Sequence, residues 1–184
     1  MDNKTYDVIV AGGGPAGYTA AMYAARSGYT VAVVEQMSAG GQMATTETVE
    51  NYPGFDDGID GFELGERMQR GAERFGVVTV YAKIKSLNLK ASPKTVETTA
   101  GMLNAKAVVI ATGAKPRLLG VEGERELTGK GVAYCAVCDG MRYKGKVAVV
   151  VGGGNSAAAD ALYLSKICEK VYLVHRRDRL RASK

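Results

Sequence analysis

The sequence predicts an α/β fold built around two βαβ units. The main observation is that one design occurs twice. Tyr6 to Ala11 is a short apolar run that leads into Gly12-Gly13-Gly14-Pro15-Ala16-Gly17, an Ala-rich helical stretch to about Ser27, and a second apolar run from Thr30 to Val34. Lys146 to Val151 leads in the same way into Gly152-Gly153-Gly154-Asn155-Ser156-Ala157, a helical stretch to about Ile167, and the run Val171 to Val174. Between the two units, Gly61 to Gly76 reads as a helix. Val77–Tyr81, Ile84–Leu89 and Val96–Thr99 read as the short strands of an antiparallel meander. Ala107 to Ile110 is a buried strand that runs into Ala111-Thr112-Gly113, and Lys115-Pro116 begins a linker.

Each glycine turn has a chemical use. In Gly12-x-Gly14-x-x-Gly17 the first glycine makes the tight turn. The second lets backbone approach a pyrophosphate, and the third lets helix pack on strand. The phosphate then meets the positive end of the helix. This is a Rossmann-like dinucleotide fingerprint. Glu35, at the end of the second strand, accepts from ribose hydroxyls and repels a 2′-phosphate, so the site suits FAD or NAD. Gly152-x-Gly154-x-x-Ala157 is a second fingerprint, with Ala at the third position, as the pattern allows. Its second strand ends in His175-Arg176-Arg177. Guanidinium groups there read a 2′-phosphate bidentately, with Arg181 as a third contact, so this site suits NADPH. His175 is expected to pack or stack, without acid–base work.

Cys135-Ala136-Val137-Cys138-Asp139-Gly140 has the spacing of a redox-active dithiol, which attacks a partner disulfide through its thiolate and closes again. Asp139 stands next to the second thiol and can shuttle a proton. The spacing alone also allows zinc, for which Cys168 and His175 formally complete a Cys₃His set.

Charge patterning separates a small anionic ligand from a nucleic acid. The net charge of +5 is concentrated in Lys170–Lys184, leaving 18 of the 24 basic and 18 of the 19 acidic residues elsewhere. A nucleic-acid binder spreads its cations over a face, whereas one compact cluster matches one phosphate. No apolar run approaches the ~18 residues of a membrane span. The N-terminal residues lack the charged and apolar regions of a secretory signal, so the default expectation is a cytoplasmic protein. The division expected is a flavin-type domain over residues 1–114 and a nicotinamide-type domain carrying the CxxC over 115–184. The second unit has only two strands, and ten residues follow Val174. Strand counting therefore predicts a fragment with apolar strand edges exposed.

These segments, in this order, resemble the low-molecular-weight thioredoxin reductases over the whole chain. Gly12 to Gly17 with Glu35 and Gln36 resembles the family's FAD fingerprint. Gly40-Gly41-Gln42, Glu50-Asn51-Tyr52-Pro53-Gly54-Phe55 and Ala111-Thr112-Gly113-Ala114 are similar to further flavin-lining segments. Gly152 to Ala157, with Asn155 and Ser156, and His175 to Asp178 with Arg181 resemble the NADPH site, and Cys135 to Gly140 the active-site sequence. The chain departs from the family at Ala158-Ala159-Asp160 and Leu180. The resemblance implies two Rossmann-like domains, FAD and NADPH as cofactors, thioredoxin as partner and a homodimer. It also implies electron transfer to the disulfide with Cys138 facing the flavin and Asp139 as acid–base group. It further implies a returning section that completes the FAD site, so that these residues alone have weak or no activity. The alternatives are a related flavin disulfide reductase, such as the alkyl hydroperoxide reductase flavoprotein, or a non-enzymatic nucleotide- or zinc-binding module.

Overall fold

The computed structural model describes residues 5–183, and the chain divides between Ala114 and Lys115 into two compact units. Residues 1–4, part of the basis for expecting no secretory signal, and Lys184, the last cation of the basic cluster, lie outside the described residues.

The first unit runs β1 (Thr5–Ala11), α1 (Pro15–Arg26), β2 (Val31–Glu35), a 3-10 turn (Gly41–Thr45), α2 (Gly61–Glu73), β3 (Val78–Tyr81), β4 (Ile84–Asn88), β5 (Lys94–Thr98) and β6 (Gly101–Ile110). All six strands form one sheet in the order β3-β2-β1-β6-β5-β4. The β3, β2, β1 and β6 strands pair in parallel, and β6-β5-β4 is antiparallel. Two readings of the sequence change here. Val78–Tyr81 is not part of the meander; it extends the parallel sheet beside β2. The meander is β4-β5-β6, because β6 starts at Gly101 and its first half pairs with β5 while the same strand lies against β1. β1 is thus flanked by β2 on one side and by the last strand on the other. The crevice beyond its carboxyl end lies at such a reversal in open α/β sheets.

Alternation along β1 and β2 fills a core on each face. Val10, Val31 and Val33 pack with Tyr18 and Ala21 of α1 and Ala72 of α2. Ile9, Ala32 and Val34 pack on the opposite face with Val96 of β5 and Ala105 of β6. Burying each such Val or Ile contributes about 1.5–3 kcal/mol. Tyr18 reaches Thr79 of β3 with its hydroxyl at 3.4 Å, and burial pushes its pKa up to about 12. Asp60 caps α2 by accepting from the Glu63 N–H at 2.9 Å.

The second unit carries α3 (Glu124–Leu127), α4 (Ala136–Asp139), a 3-10 turn (Gly140–Tyr143), β7 (Val147–Val151), α5 (Asn155–Leu164) and β8 (Lys170–Val174). Its sheet has two parallel strands, β7 and β8, with Val147 opposite Lys170 and Val151 opposite Val174. Period-two alternation puts Val147, Val149, Val151, Tyr172 and Val174 on one face, and all five are exposed. No helix among the described residues is long and apolar enough to cross a membrane.

Candidate functional site: two glycine turns and a cysteine pair

The turn after β1 is shaped by close contact. Gly12 has φ +107° and its N–H donates to the Val34 carbonyl at 2.9 Å. A Cβ on Gly12 would stand 2.4 Å from the Ala111 oxygen, so Ala111 and Thr112, which follow β6 and lead into Gly113, lie directly beside the turn. A Cβ on Gly17 would stand 1.9 Å from the Gly12 oxygen, which is the close packing of helix on strand that a third glycine permits. Gly14 opens α1 without a side-chain cap, and a Cβ there would meet nothing within 4 Å. Pro15 at the first helical position has no N–H to leave unpaired, and Ala16 follows it exposed. The free N–H groups of this first turn therefore face open space, the arrangement that receives an anion.

The Glu35 carboxylate is fixed in the same place. One oxygen accepts from the Gly13 N–H at 2.7 Å, and the other accepts from the N–H of Gln36 at 2.7 Å and of Met37 at 3.1 Å. Each oxygen keeps further lone-pair capacity for a hydroxyl donor. The chain then returns: Gly40 N–H donates to the Gly13 carbonyl at 2.8 Å, and a Cβ on Gly41 would lie 3.4 Å from the Gly14 Cα. Gln42 donates through its side-chain amide to the Ala114 carbonyl, tying the 3-10 turn to the segment after β6. Gly12, Gly14, Pro15, Ala16, Gly17, Glu35, Gln36, Gly41, Gln42, Ala111, Thr112 and Gly113 thus come together. Asn51 does not join them through any hydrogen bond among the described residues. It lines an open concavity of about 500 Å³ formed by residues 50–56.

The second turn repeats this geometry with other chemistry. Gly152 N–H donates to the Val174 carbonyl at 3.0 Å, and Gly154 opens α5 uncapped, again with open space where a Cβ would be. Where Glu35 bonds Gly13, the His175 ring lies flat over Gly153: a Cβ on Gly153 would stand 2.4–2.6 Å from three ring atoms. His175 Nε2 is buried without a hydrogen-bond partner. Such an orphaned donor or acceptor costs about 1–3 kcal/mol until something pairs with it. The chain returns here too. The N–H groups of Arg181 and Ala182 donate to the Gly153 carbonyl at 2.6 and 3.1 Å. Ser183 donates from its N–H to Asn155 Oδ1 at 2.8 Å, so the Asn155 amide oxygen is already engaged. Ser156 is exposed in the first turn of α5. Arg176, Arg177 and Arg181 are exposed, and none is paired with a carboxylate among the described residues. Free cations, an uncapped helix end and an unpartnered imidazole nitrogen together fit a polyanionic nucleotide.

Cys135 and Cys138 are joined as a disulfide with Cα atoms 5.3 Å apart. Cys135 precedes α4, and its Sγ accepts from the Cys138 N–H at 3.2 Å. Cys138 is exposed and Cys135 half-buried, and the half-buried Asp139 donates its N–H to the Cys135 carbonyl at 3.1 Å. The turn after the pair rests on α5: a Cβ on Gly140 would stand 2.9 Å from Tyr163 and 3.1 Å from Ile167. Cys168 does not approach the pair. Its thiol donates to the Tyr143 carbonyl at 3.4 Å, and no group of three His, Cys, Asp or Glu side chains is set for a metal among the described residues. Sequence reasoning gave no role to Gly13 and Gly153, whose roles lie in contacts across the turn. The only advance signal was the run of three glycines in both motifs.

A repeated Rossmann-like turn with a redox-capable cysteine pair defines a two-nucleotide oxidoreductase class. Residues 6–184 match the pyridine nucleotide-disulphide oxidoreductase family, and the chain belongs to that family. It is similar to the thioredoxin reductase of Bacillus subtilis (strain 168), 49% identical over 181 residues that cover 98% of this chain and 57% of that protein. It is 48% identical over 180 residues to the bifunctional thioredoxin reductase/thioredoxin of Mycobacterium leprae (strain TN), covering 97% of this chain and 39% of that one. Among solved structures, thioredoxin reductase from Streptococcus pyogenes MGAS5005 superposes with a TM-score of 0.87 at 48% identity, covering 99% of this chain and 59% of that one. The chain thus spans little more than half the length of the Bacillus subtilis and Streptococcus pyogenes reductases and less of the fused protein. The thioredoxin reductase branch of the family uses FAD and NADPH.

Proposed function

We propose that this chain provides the paired nucleotide turns and the dithiol of a flavoprotein disulfide reductase, passing electrons from NADPH through FAD and the Cys135–Cys138 pair to thioredoxin. The observation that carries this reading is the cysteine disulfide held on the helix of the second glycine turn. Gly12, Gly14, Ala16, Gly17, Glu35, Gln36, Gly41, Gln42, Asn51 and Ala111 to Gly113 would hold FAD in the first unit. Gly152, Gly154, Asn155, Ser156, His175, Arg176, Arg177 and Arg181 would hold NADPH in the second, which assigns residues 1–114 and 115–184 to these two roles. The chemistry the two groups supply is hydride transfer and delivery of an electron pair.

The chain's own residues do the rest. The Cys135–Cys138 bond takes up two electrons and two protons and opens to a dithiol. Asp139 exchanges one of those protons. A thiolate of the pair then attacks a thioredoxin disulfide. A mixed disulfide forms, the second cysteine displaces it, and thioredoxin leaves reduced with both of its cysteines protonated. The similarity to a fused thioredoxin reductase/thioredoxin supports thioredoxin as partner. A homodimer in the cytoplasm, with neither nucleic acid nor membrane as partner, completes the proposal. In the intact protein, Cys138→Ser should abolish thioredoxin reduction while NADPH still bleaches the flavin. Thioredoxin reduction at the wild-type rate in that variant would sink the assignment.

A further inference from the structure

Ten residues before Tyr134 the chain buries a carboxylate. Glu124 is 5% exposed, on the short α3. A buried carboxylate is costly unless donors surround it. Here one oxygen accepts from the Leu119 N–H at 2.6 Å and the other from the Gly120 N–H at 2.7 Å. The third donor is the hydroxyl of Tyr134, the residue immediately before Cys135. The stretch between them closes on itself. Thr128 Oγ1 donates to the Glu124 carbonyl at 2.8 Å, and Val132 N–H donates to the Leu127 carbonyl at 2.9 Å. The Glu124 carboxylate is therefore a node that fixes residues 119–120 and the entry to the cysteine pair, as Gly140 on α5 fixes the exit.

We infer that Glu124 and Tyr134 are positioning residues for the Cys135–Cys138 pair and set how readily its disulfide closes. This rests on the redox role proposed above. Neither residue touches a reacting atom. Their effect runs through the backbone of Cys135, which is extended at φ −138°, ψ 102° and brings its sulfur over the Cys138 N–H. A backbone held in that form loses less freedom when the ring closes, so the anchor favours the disulfide over the open dithiol. Releasing the anchor makes the pair easier to reduce.

The test is equilibration of the intact protein with dithiothreitol and its oxidised form, with thiols at Cys135 and Cys138 counted by alkylation and mass spectrometry. In that exchange the Cys135–Cys138 bond breaks and a dithiothreitol S–S bond forms. The two thiol protons of the reagent pass to the cysteines. Tyr134→Phe removes one hydroxyl and keeps the ring, and is expected to shift the equilibrium toward the dithiol by about three- to tenfold, the net scale of one hydrogen bond. Glu124→Gln should shift it in the same direction. The double variant should equal the larger single shift, because both act through one contact. If Glu124→Gln fails to fold, Tyr134→Phe alone decides. An equilibrium for Tyr134→Phe indistinguishable from wild type, with or without a lowered melting temperature, overturns the inference, as does a shift toward the disulfide. The measurement uses neither NADPH nor flavin. A wild-type pair that NADPH cannot open would refute the proposed function and leave this result to be judged on its own.

Discussion

The two glycine turns are the same backbone written twice, and their differences show what each part of the motif does. The same number of positions separates Gly12 from Glu35 and Gly152 from His175. In both, the first glycine donates to the residue just before Glu35 or His175, and the carbonyl of the middle glycine accepts from a returning segment. The chemistry differs at the strand end. A carboxylate bonded to Gly13 suits hydroxyl donors, while an imidazole over Gly153 beside unpaired arginines suits a phosphate. Burial differs as well. Ile9, Val10 and Val33 are fully buried by strands on either side and packing on both faces, whereas Val149 of the two-stranded pair is 59% exposed. Local sequence makes the turn. Neighbouring strands make the core.

The largest effect should come from the third position of each motif. Gly17→Ala places a methyl 1.9 Å from the Gly12 oxygen and should cost about 3 kcal/mol by overpacking, with loss of flavin. The second unit already carries Ala157 beside a Gly152 at φ +151°, so Ala157→Gly should cost only about 1 kcal/mol of helix propensity. Chemical denaturation of the two variants measures the contrast, and equal losses would break the comparison.

Next comes the strand end. Arg176→Ala with Arg177→Ala should raise the KM for NADPH by about 10- to 100-fold, the scale of losing one or two charge-assisted contacts, and leave that for NADH nearly unchanged. A parallel rise for both coenzymes would mean that the arginines do not read the 2′-phosphate.

The smallest effect lies at the opposite end of β1. Asp7 accepts from the N–H and hydroxyl of Thr30 at 2.8 and 2.7 Å and pairs with Lys106 at 2.8 Å. The Lys106 ammonium first, and then the Thr30 donors, hold the carboxyl well below its ordinary range. Its folded pKa is depressed, so its contribution is present above the unfolded carboxylate pKa of about 3.9 and is lost as pH falls further. Asp7→Asn should lower the melting temperature slightly at pH 7 and progressively less below pH 4. A difference that grows on acidification would contradict this.

Much of this was legible beforehand because glycine spacing and β-branched runs are local signals. The strands and helices of both βαβ units fall within a few residues of the sequence reading. What was not legible depends on partners. Four residues at Val78–Tyr81 cannot tell whether β2 or a meander will receive them. The start of β6, Gly101-Met-Leu-Asn-Ala-Lys, is too mixed in polarity to announce a strand that pairs on both edges. The Glu35 bond to Gly13, the ring of His175 over Gly153 and the Glu124–Tyr134 contact join residues by folding, and no spacing rule names them.

The central claim is that electrons entering at the second turn open the Cys135–Cys138 bond. Anaerobic titration of the intact protein with NADPH, followed by alkylation of free thiols, tests it most directly. The account predicts two new thiols, at Cys135 and Cys138, with Cys168 reactive to the same extent before and after. Reduced flavin beside an unopened disulfide would contradict it.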